Sequence, residues 1–268
     1  MAVAPEHPVR RLARRSGIRK MVVHRRHRNL NPNDVFLASF PRSGNTWMKF
    51  VFASLISGRN VNFANADEEI PTVGDHGRST GKLPHGGRFL KTHEPYWREY
   101  GRSIYLLRDP RDVAISYRRY LEGFQVKFDS MDEFLDQFQR GRVGGYGSWL
   151  DHVNGWFNAK SQGTPILPLF YEELVADPQR HVTEAASFVG IEVTDSTVAD
   201  AIEGNSVDRM RKKESDSASY FANSGWSNSS VSFIGKADSG GWKEQLSASS
   251  LERLKPACER YAELLAEN

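Results

Sequence analysis

Apolar and polar positions along the chain alternate between two periods. Val35-Phe36-Leu37-Ala38-Ser39-Phe40 is a short apolar run closed by Pro41, which reads as a buried strand. Asn45 to Ser57 follows with Trp47, Phe50, Val51, Ser54 and Leu55 at helical spacing and Gly58 as a stop. Arg88 to Lys91, Ser103 to Leu107 and Pro165 to Phe170 predict three more strands. Helices are predicted at Asp112–Leu121, with Pro110 near the start, at Glu172–Ala176 and at Pro178–Val189. Leu251, Leu254, Cys258, Tyr261 and Leu264 place a last amphipathic helix, with Cys258 on its core-facing side. Strands alternating with helices predict a single α/β domain: a central parallel sheet flanked by helices. Such sheets bind ligands beyond the carboxyl ends of their strands. Residues 59–86, with Asp67-Glu68-Glu69 and several glycines, read as a long irregular connection. Residues 214–241 hold nine serines among aromatics such as Tyr220, Phe221, Trp226 and Phe233. They read as a loop, either always ordered or ordering on a ligand.

Composition narrows the class. The 268 residues suffice for one large domain, and no apolar run approaches the 18 residues of a membrane span. One cysteine excludes a disulfide framework and a multi-cysteine metal site. The formal charge of +3 hides an asymmetry. Nine Lys/Arg and one acid fall in residues 1–28, a net +8, which leaves 27 bases against 32 acids in residues 29–268, a net −5. The division is therefore a basic N-terminal arm, 1–28, and a domain, 29–268. An acidic body argues against nucleic acid as partner. The arm lacks the apolar core of a secretory signal, so a cytoplasmic location is expected. Two readings of the arm stay open: a solvated segment on the domain edge, or a peripheral contact with a membrane surface or other anionic partner. Nothing in the sequence reports oligomeric state.

The strongest local signal is Phe40-Pro41-Arg42-Ser43-Gly44-Asn45-Thr46-Trp47, set between a strand and a helix. Backbone N–H groups at a helix start form an anion cradle, and the helix dipole favours negative charge there. Arg42 adds a cation, Ser43 and Thr46 add hydroxyls, and Gly44 permits close approach. The GxxxxGK[ST] phosphate loop is absent.

This segment resembles the 5′-phosphosulfate loop of cytosolic-type sulfotransferases, YPKSGTTW. Further segments match in order. Arg108-Asp109-Pro110-Arg111-Asp112-Val113-Ala114-Ile115-Ser116-Tyr117 resembles the 3′-phosphate segment RNPKDVAVSYY, whose Arg and Ser fall on Arg108 and Ser116. Lys91-Thr92-His93 resembles the KTH segment, whose His is the catalytic base. Phe170-Tyr171-Glu172-Glu173 resembles FYED, whose Tyr lies near the nucleotide. Residues 235–243 resemble the closing RKGxxGDWK, which aligns Lys236 and Ala237 with donor contacts. The resemblance implies sulfuryl transfer from 3′-phosphoadenosine 5′-phosphosulfate (PAPS), without a metal, to a hydroxyl or, less favoured, an amine of a small molecule, lipid or glycan. In that scheme His93 takes the acceptor proton and Arg42 and Lys91 face the bridging oxygen as charge grows there. Ser43, Gly44, Asn45 and Thr46 hold the 5′-phosphate, while Trp47, Tyr171 and, by a weaker match, Ser206 face the nucleoside. Tyr96, Trp97 and the aromatics of 220–233 are candidate acceptor walls. Three departures stand out. Arg42 replaces the loop Lys, Asn45 replaces the first Thr, as in similar bacterial enzymes acting on natural products, and Gly235 replaces the closing Arg, a loss that Lys212 or Lys213 could cover. The rival readings are a P-loop-type kinase using ATP and a non-catalytic nucleotide- or glycan-binding relative.

Overall fold

The computed structural model describes residues 23–228, 230–235 and 239–268. Lys236, Ala237 and most of the basic arm lie outside them. Four strands, β1 (Val35–Ser39), β2 (Phe89–Thr92), β3 (Ser103–Leu107) and β4 (Ile166–Phe170), form one sheet in the order β2-β1-β3-β4. Every pairing is parallel, with Val35 opposite Phe89, Phe36 opposite Ser103 and Ser103 opposite Ile166. The predicted sheet is therefore present, and its strand boundaries fall within a residue or so of the apolar runs.

The sheet is buried on both faces because alternate side chains feed two cores. Val35, Leu37, Ile104 and Leu106 face one, and Phe36, Ala38, Tyr105 and Leu107 face the other. Helices α1 (Asn45–Ser57), α2 (Phe63–Glu69), α7 (Pro178–Val189) and α8 (Asp195–Glu203) cover the first. Helices α3 (Pro110–Glu122), α4 (Met131–Gln139), α5 (Trp149–Ser161) and α11 (Ala248–Ala266) cover the second. Short α6 (Tyr171–Ala176) follows β4 directly, and α9 (Val207–Asp216) with α10 (Ala218–Asn223) completes the set. Cys258 is half-buried against the second core.

Two expectations need correction. Residues 59–86 are not irregular throughout: Asn62 accepts from the Asn65 N–H, caps α2, and lets Phe63 and Ala66 enter the core. Residues 214–241 are not simply a loop. Their first part is helical, and Phe221, Trp226 and Phe233 cluster on one another and on Phe63 and Tyr120. Glu214 draws in the following strand of chain, accepting from the N–H groups of Phe233 and Ile234 at 2.6 and 2.9 Å.

The arm boundary also moves. Residues 23–28 belong to the folded body. Arg26 donates to Glu94 Oε1 at 2.9 Å, and His27 bridges Val23 O and the Tyr100 hydroxyl. Among the described residues no helix is long and apolar enough to cross a membrane.

Candidate active site

Each of the four parallel strands delivers an expected residue from its carboxyl end. β1 leads into Arg42–Thr46, β2 carries Lys91 and leads into His93, β3 leads into Arg108, and β4 leads into Tyr171. A cavity of about 900 Å3 opens over these ends. Arg42, Gly44, Asn45, Thr46, Trp47, Lys91, His93, Arg108, Ser116, Tyr171 and Ser206 all line it.

The loop after β1 is shaped for close approach. Gly44 caps α1 with φ of 91° and contributes no side-chain cap, so the first N–H groups of a 13-residue helix face the cavity. A Cβ at Gly44 would also meet the Tyr171 ring at 2.8 Å. Ser43 Oγ is buried with no hydrogen-bond partner among the described residues. A buried orphan hydroxyl beside open helix N–H groups is what an anion would satisfy. The Asn45 side chain points the other way, donating to Leu37 O at 3.2 Å and Ser39 Oγ at 3.1 Å. Its side chain thus ties the loop to β1, a role the motif did not disclose.

His93 shares that anchor. Its Nδ1 lies 2.9 Å from Ser39 O and 3.2 Å from Ser39 Oγ. A carbonyl only accepts, so Nδ1 carries the proton and Nε2 keeps its lone pair, with no partner among the described residues. Burial, with Lys91 nearby, holds the imidazole well below its usual 6.5, which keeps it neutral. Behind it the Tyr105 hydroxyl donates to His152 Nδ1 at 2.9 Å, and His152 Nε2–H donates to His93 O at 3.1 Å. Burial pushes His152 down to about 4, so it is a neutral prop. Ser39, Tyr105 and His152 escaped sequence reading because each looks like an ordinary core residue.

The cations divide into two groups. Lys91 Nζ has no hydrogen-bond partner among the described residues, and burial with Lys49 beside it lowers its ammonium from 10.5 to about 7. Arg42 is already engaged. At φ of 73° it donates from Nε to Ser116 Oγ at 3.1 Å and from Nη2 to Phe233 O at 3.1 Å, over the Tyr120 ring. Burial lowers it only to about 10, so it stays charged. Arg42 thus ties Ser116 to the 232–234 segment at the cavity wall, and Lys91 is a cation without a hydrogen-bond partner among the described residues. Arg108 donates from Nη1 to Arg42 O at 3.1 Å and stacks over Tyr171 at 4.2 Å, so Arg42, Arg108, Ser116 and Tyr171 form one cluster.

On the far side Trp47 Nε1 donates to Asn205 O at 2.9 Å, which brings Trp47 beside Ser206 at the start of α9. Neither Lys212 nor Lys213 fills the gap at Gly235. Lys212 is exposed and Lys213 is held by Asn60 and Asn205, both at 2.6 Å, and neither lines the cavity. Tyr96 and Trp97 are likewise not acceptor walls: they pack on Trp156 and His27. Tyr220, Phe221 and Phe233 do line the cavity. Asp112 was missed; it accepts from the N–H groups of Gly240 and Trp242 at 2.7 and 3.1 Å and pins the closing segment to α3.

Known proteins resemble this chain over most of its length. Dog sulfotransferase 1B1 is 26% identical over 241 residues, covering 83% of this chain and 81% of that protein. Mouse sulfotransferase 1E1 is 28% identical over 240 residues, covering 83% and 81%. Among solved structures, retinol dehydratase in complex with androsterone and inactive cofactor PAP superposes with a TM-score of 0.69 at 21% identity, over 91% of this chain and 83% of that one. Mouse sulfotransferase SULT7A1 complexed with PAP gives 0.62 at 22% identity, over 84% and 85%. These two show a shared fold. Residues 32–267 match the model of the sulfotransferase domain, and the chain belongs to that family.

Proposed function

We propose that this sulfotransferase uses His93 as general base, Lys91 as the cation at the leaving group and the Gly44 loop as the 5′-phosphate cradle. PAPS, when bound, supplies the sulfuryl group. The residues fit such a donor through the buried orphan Ser43 Oγ, the uncapped α1 start and the unpaired Lys91. His93 Nε2 accepts the proton of the attacking hydroxyl while the sulfur–oxygen bond to the acceptor forms and that to the 5′-phosphate breaks. Lys91 stabilises the negative charge that collects on the departing phosphate oxygen. Arg108 and Ser116, positioned through Arg42, hold the 3′-phosphate, and Trp47, Tyr171 and Ser206 bracket the nucleoside. Lys236 and Ala237 retain their expected part in the same binding. The acceptor is a small molecule bearing a hydroxyl, and the enzyme works in the cytoplasm.

The observation that carries this reading is the Ser39 O···His93 Nδ1 bond, which frees Nε2 on the cavity beside Lys91. The family match favours it over an ATP-dependent kinase, and the presence of both Lys91 and His93 favours it over a non-catalytic relative. The test is His93→Ala assayed with radiolabelled PAPS, alongside binding of adenosine 3′,5′-bisphosphate (PAP). Loss of turnover with PAP binding preserved supports it; near-wild-type turnover overturns it.

A further inference from the structure

The wall of the cavity beside Lys91 carries a charge pair, one partner buried and the other partly open. Lys49 lies one turn after Thr46 on α1, and its ammonium is ion-paired with Asp67 of α2. The second Asp67 oxygen accepts from the Tyr220 hydroxyl at 2.6 Å. Lys49, Asp67 and Tyr220 all line the cavity. The Lys49 side chain is only 5% exposed, whereas that of Asp67 is 36% exposed, so the carboxylate presents lone pairs to whatever occupies this space. Burial alone would raise the Asp67 carboxyl, but Lys49 and the Tyr220 hydroxyl hold it below its usual value, so it is ionised. Acid and ammonium are both near enough to act electrostatically on Lys91. The chain leaving α2 pairs through residues 71–73 with Lys91 on β2, at the sheet edge away from the strands that lead into Arg108 and Tyr171, so the pair sits toward the Lys91–His93 side of the cavity.

A flat hydrocarbon alcohol seated here would remove water from Asp67 and return no hydrogen bond, a net loss for a partly exposed carboxylate. A vicinal diol donates to the carboxylate with one hydroxyl and meets the phenol or ammonium with the other. We infer that the acceptor is a polyhydroxylated, sugar-like molecule recognised through a diol by Asp67, Lys49 and Tyr220. The inference rests on the reading that the hydroxyl to be sulfated sits at His93. It adds the class of acceptor that the adjoining wall selects. Phe63 and Phe233 on the same cavity suit the apolar face of a sugar ring or an aglycone.

The experiment compares hexyl β-glucoside with 1-hexanol, which share an alkyl tail and differ in the polyol, using PAPS and the full chain. The glucoside is expected to show at least tenfold higher kcat/KM. Asp67→Asn should reduce that advantage about tenfold, chiefly through the KM for the glucoside, and Tyr220→Phe should do so to a smaller degree. The double replacement Lys49→Met with Asp67→Leu leaves no unpaired charge and should invert the preference toward hexanol. PAP binding and melting temperature report whether each variant is folded. Equal or better use of hexanol by the wild type, no transfer to the glucoside, or equal loss on both acceptors in Asp67→Asn overturns the inference. His93→Ala is the separate control. If it stays active, the site reading fails; if it is inactive while hexanol matches the glucoside, only the acceptor inference fails.

Discussion

Lys91 offers the sharpest test of the electrostatics. Its ammonium is lowered from 10.5 to about 7 by burial and by Lys49. At pH 7.5 such a group carries its proton in roughly a quarter of the molecules. An anionic phosphate brought beside it favours the charged form, so PAP binding should take up about 0.7 proton at that pH. The phosphates themselves, with second ionisations near pH 6, are almost fully deprotonated and release about 0.1 at most. Titration calorimetry in two buffers of different ionisation enthalpy measures the difference directly. Lys91→Met should abolish the uptake and weaken PAP binding at pH 6.5 far more than at pH 8.5. The same substitution has a stability signature. Below pH 7 the group is charged in both folded and unfolded chains, and its full penalty, about 5 kcal/mol from the shift, opposes folding. Between 7 and 10.5 the folded chain sheds the proton first and the penalty shrinks, so wild-type stability rises with pH in that window. Lys91→Met should then melt higher than the wild type at pH 6, by about 10 °C for the full penalty. Net proton release on binding, or a Lys91→Met protein less stable than wild type at pH 6, would refute the reasoning.

Four further outcomes follow from the geometry. His93→Gln should lower kcat by about 10²–10⁴ with PAP affinity nearly unchanged, and wild-type kcat/KM should not fall between pH 7.5 and 6.5, because the imidazole is held neutral there while Lys91 gains its proton; a rate that already halves at pH 6.5 contradicts the buried neutral base. Gly44→Ala should cost about 1–3 kcal/mol in denaturant unfolding and weaken PAP binding at least tenfold, since it meets both a φ of 91° and the Tyr171 ring. Removing residues 1–28 should lower the melting temperature and turnover more than removing residues 1–22, because only the longer deletion takes Arg26 from Glu94 and His27 from Tyr100; equal melting curves would return residues 23–28 to the arm. Ser39→Ala and Asn45→Ala should each lower kcat/KM several-fold and combine less than additively, because they remove the two ends of one bond, and strict additivity in the cycle would show that the loop and the base are independent.

The sheet was legible because a parallel strand buried on both faces reads as an unbroken apolar run, and the first three runs here end at Pro41, Lys91 and Arg108. The helices with matching caps were legible for the same reason: Asp109 and Pro110 begin α3, and Gly58 ends α1. Helix α2 was hidden by its composition. Acidic residues in its last turn oppose the helix dipole, and the ion pairs of Asp67 with Lys49, 18 residues away, and of Glu69 with Arg59 explain why two of them stand there. The serine-rich stretch after residue 214 misled in the opposite direction. Its serines suggest a loop, yet Phe221, Trp226 and Phe233 pack across α2 and α3, a contact among segments more than a hundred residues apart that no local pattern carries.

The same contrast separates the two halves of the site. Residues proposed for the donor come in contiguous runs, because one rigid ligand with two phosphates meets the ends of adjacent strands, and each strand end supplies a short segment of fixed spacing. Arg108, just after β3, and Ser116 on α3 are eight positions apart, so their alignment survives in the sequence even though Arg42, the residue that joins them, comes from the loop after β1. The acceptor side has no such economy of sequence. Lys49, Asp67 and Tyr220 meet from three helices, separated by 18 and 153 positions, and each alone reads as a solvated lysine, a surface acid and a packing tyrosine. Their chemistry exists only once the chain has folded. It is also there that this chain can differ most in what it sulfates from relatives sharing barely a quarter of its residues. In the proposed reaction the donor grip constrains phosphates common to the family, while the Lys49–Asp67 wall constrains the partner that gives up its proton to His93.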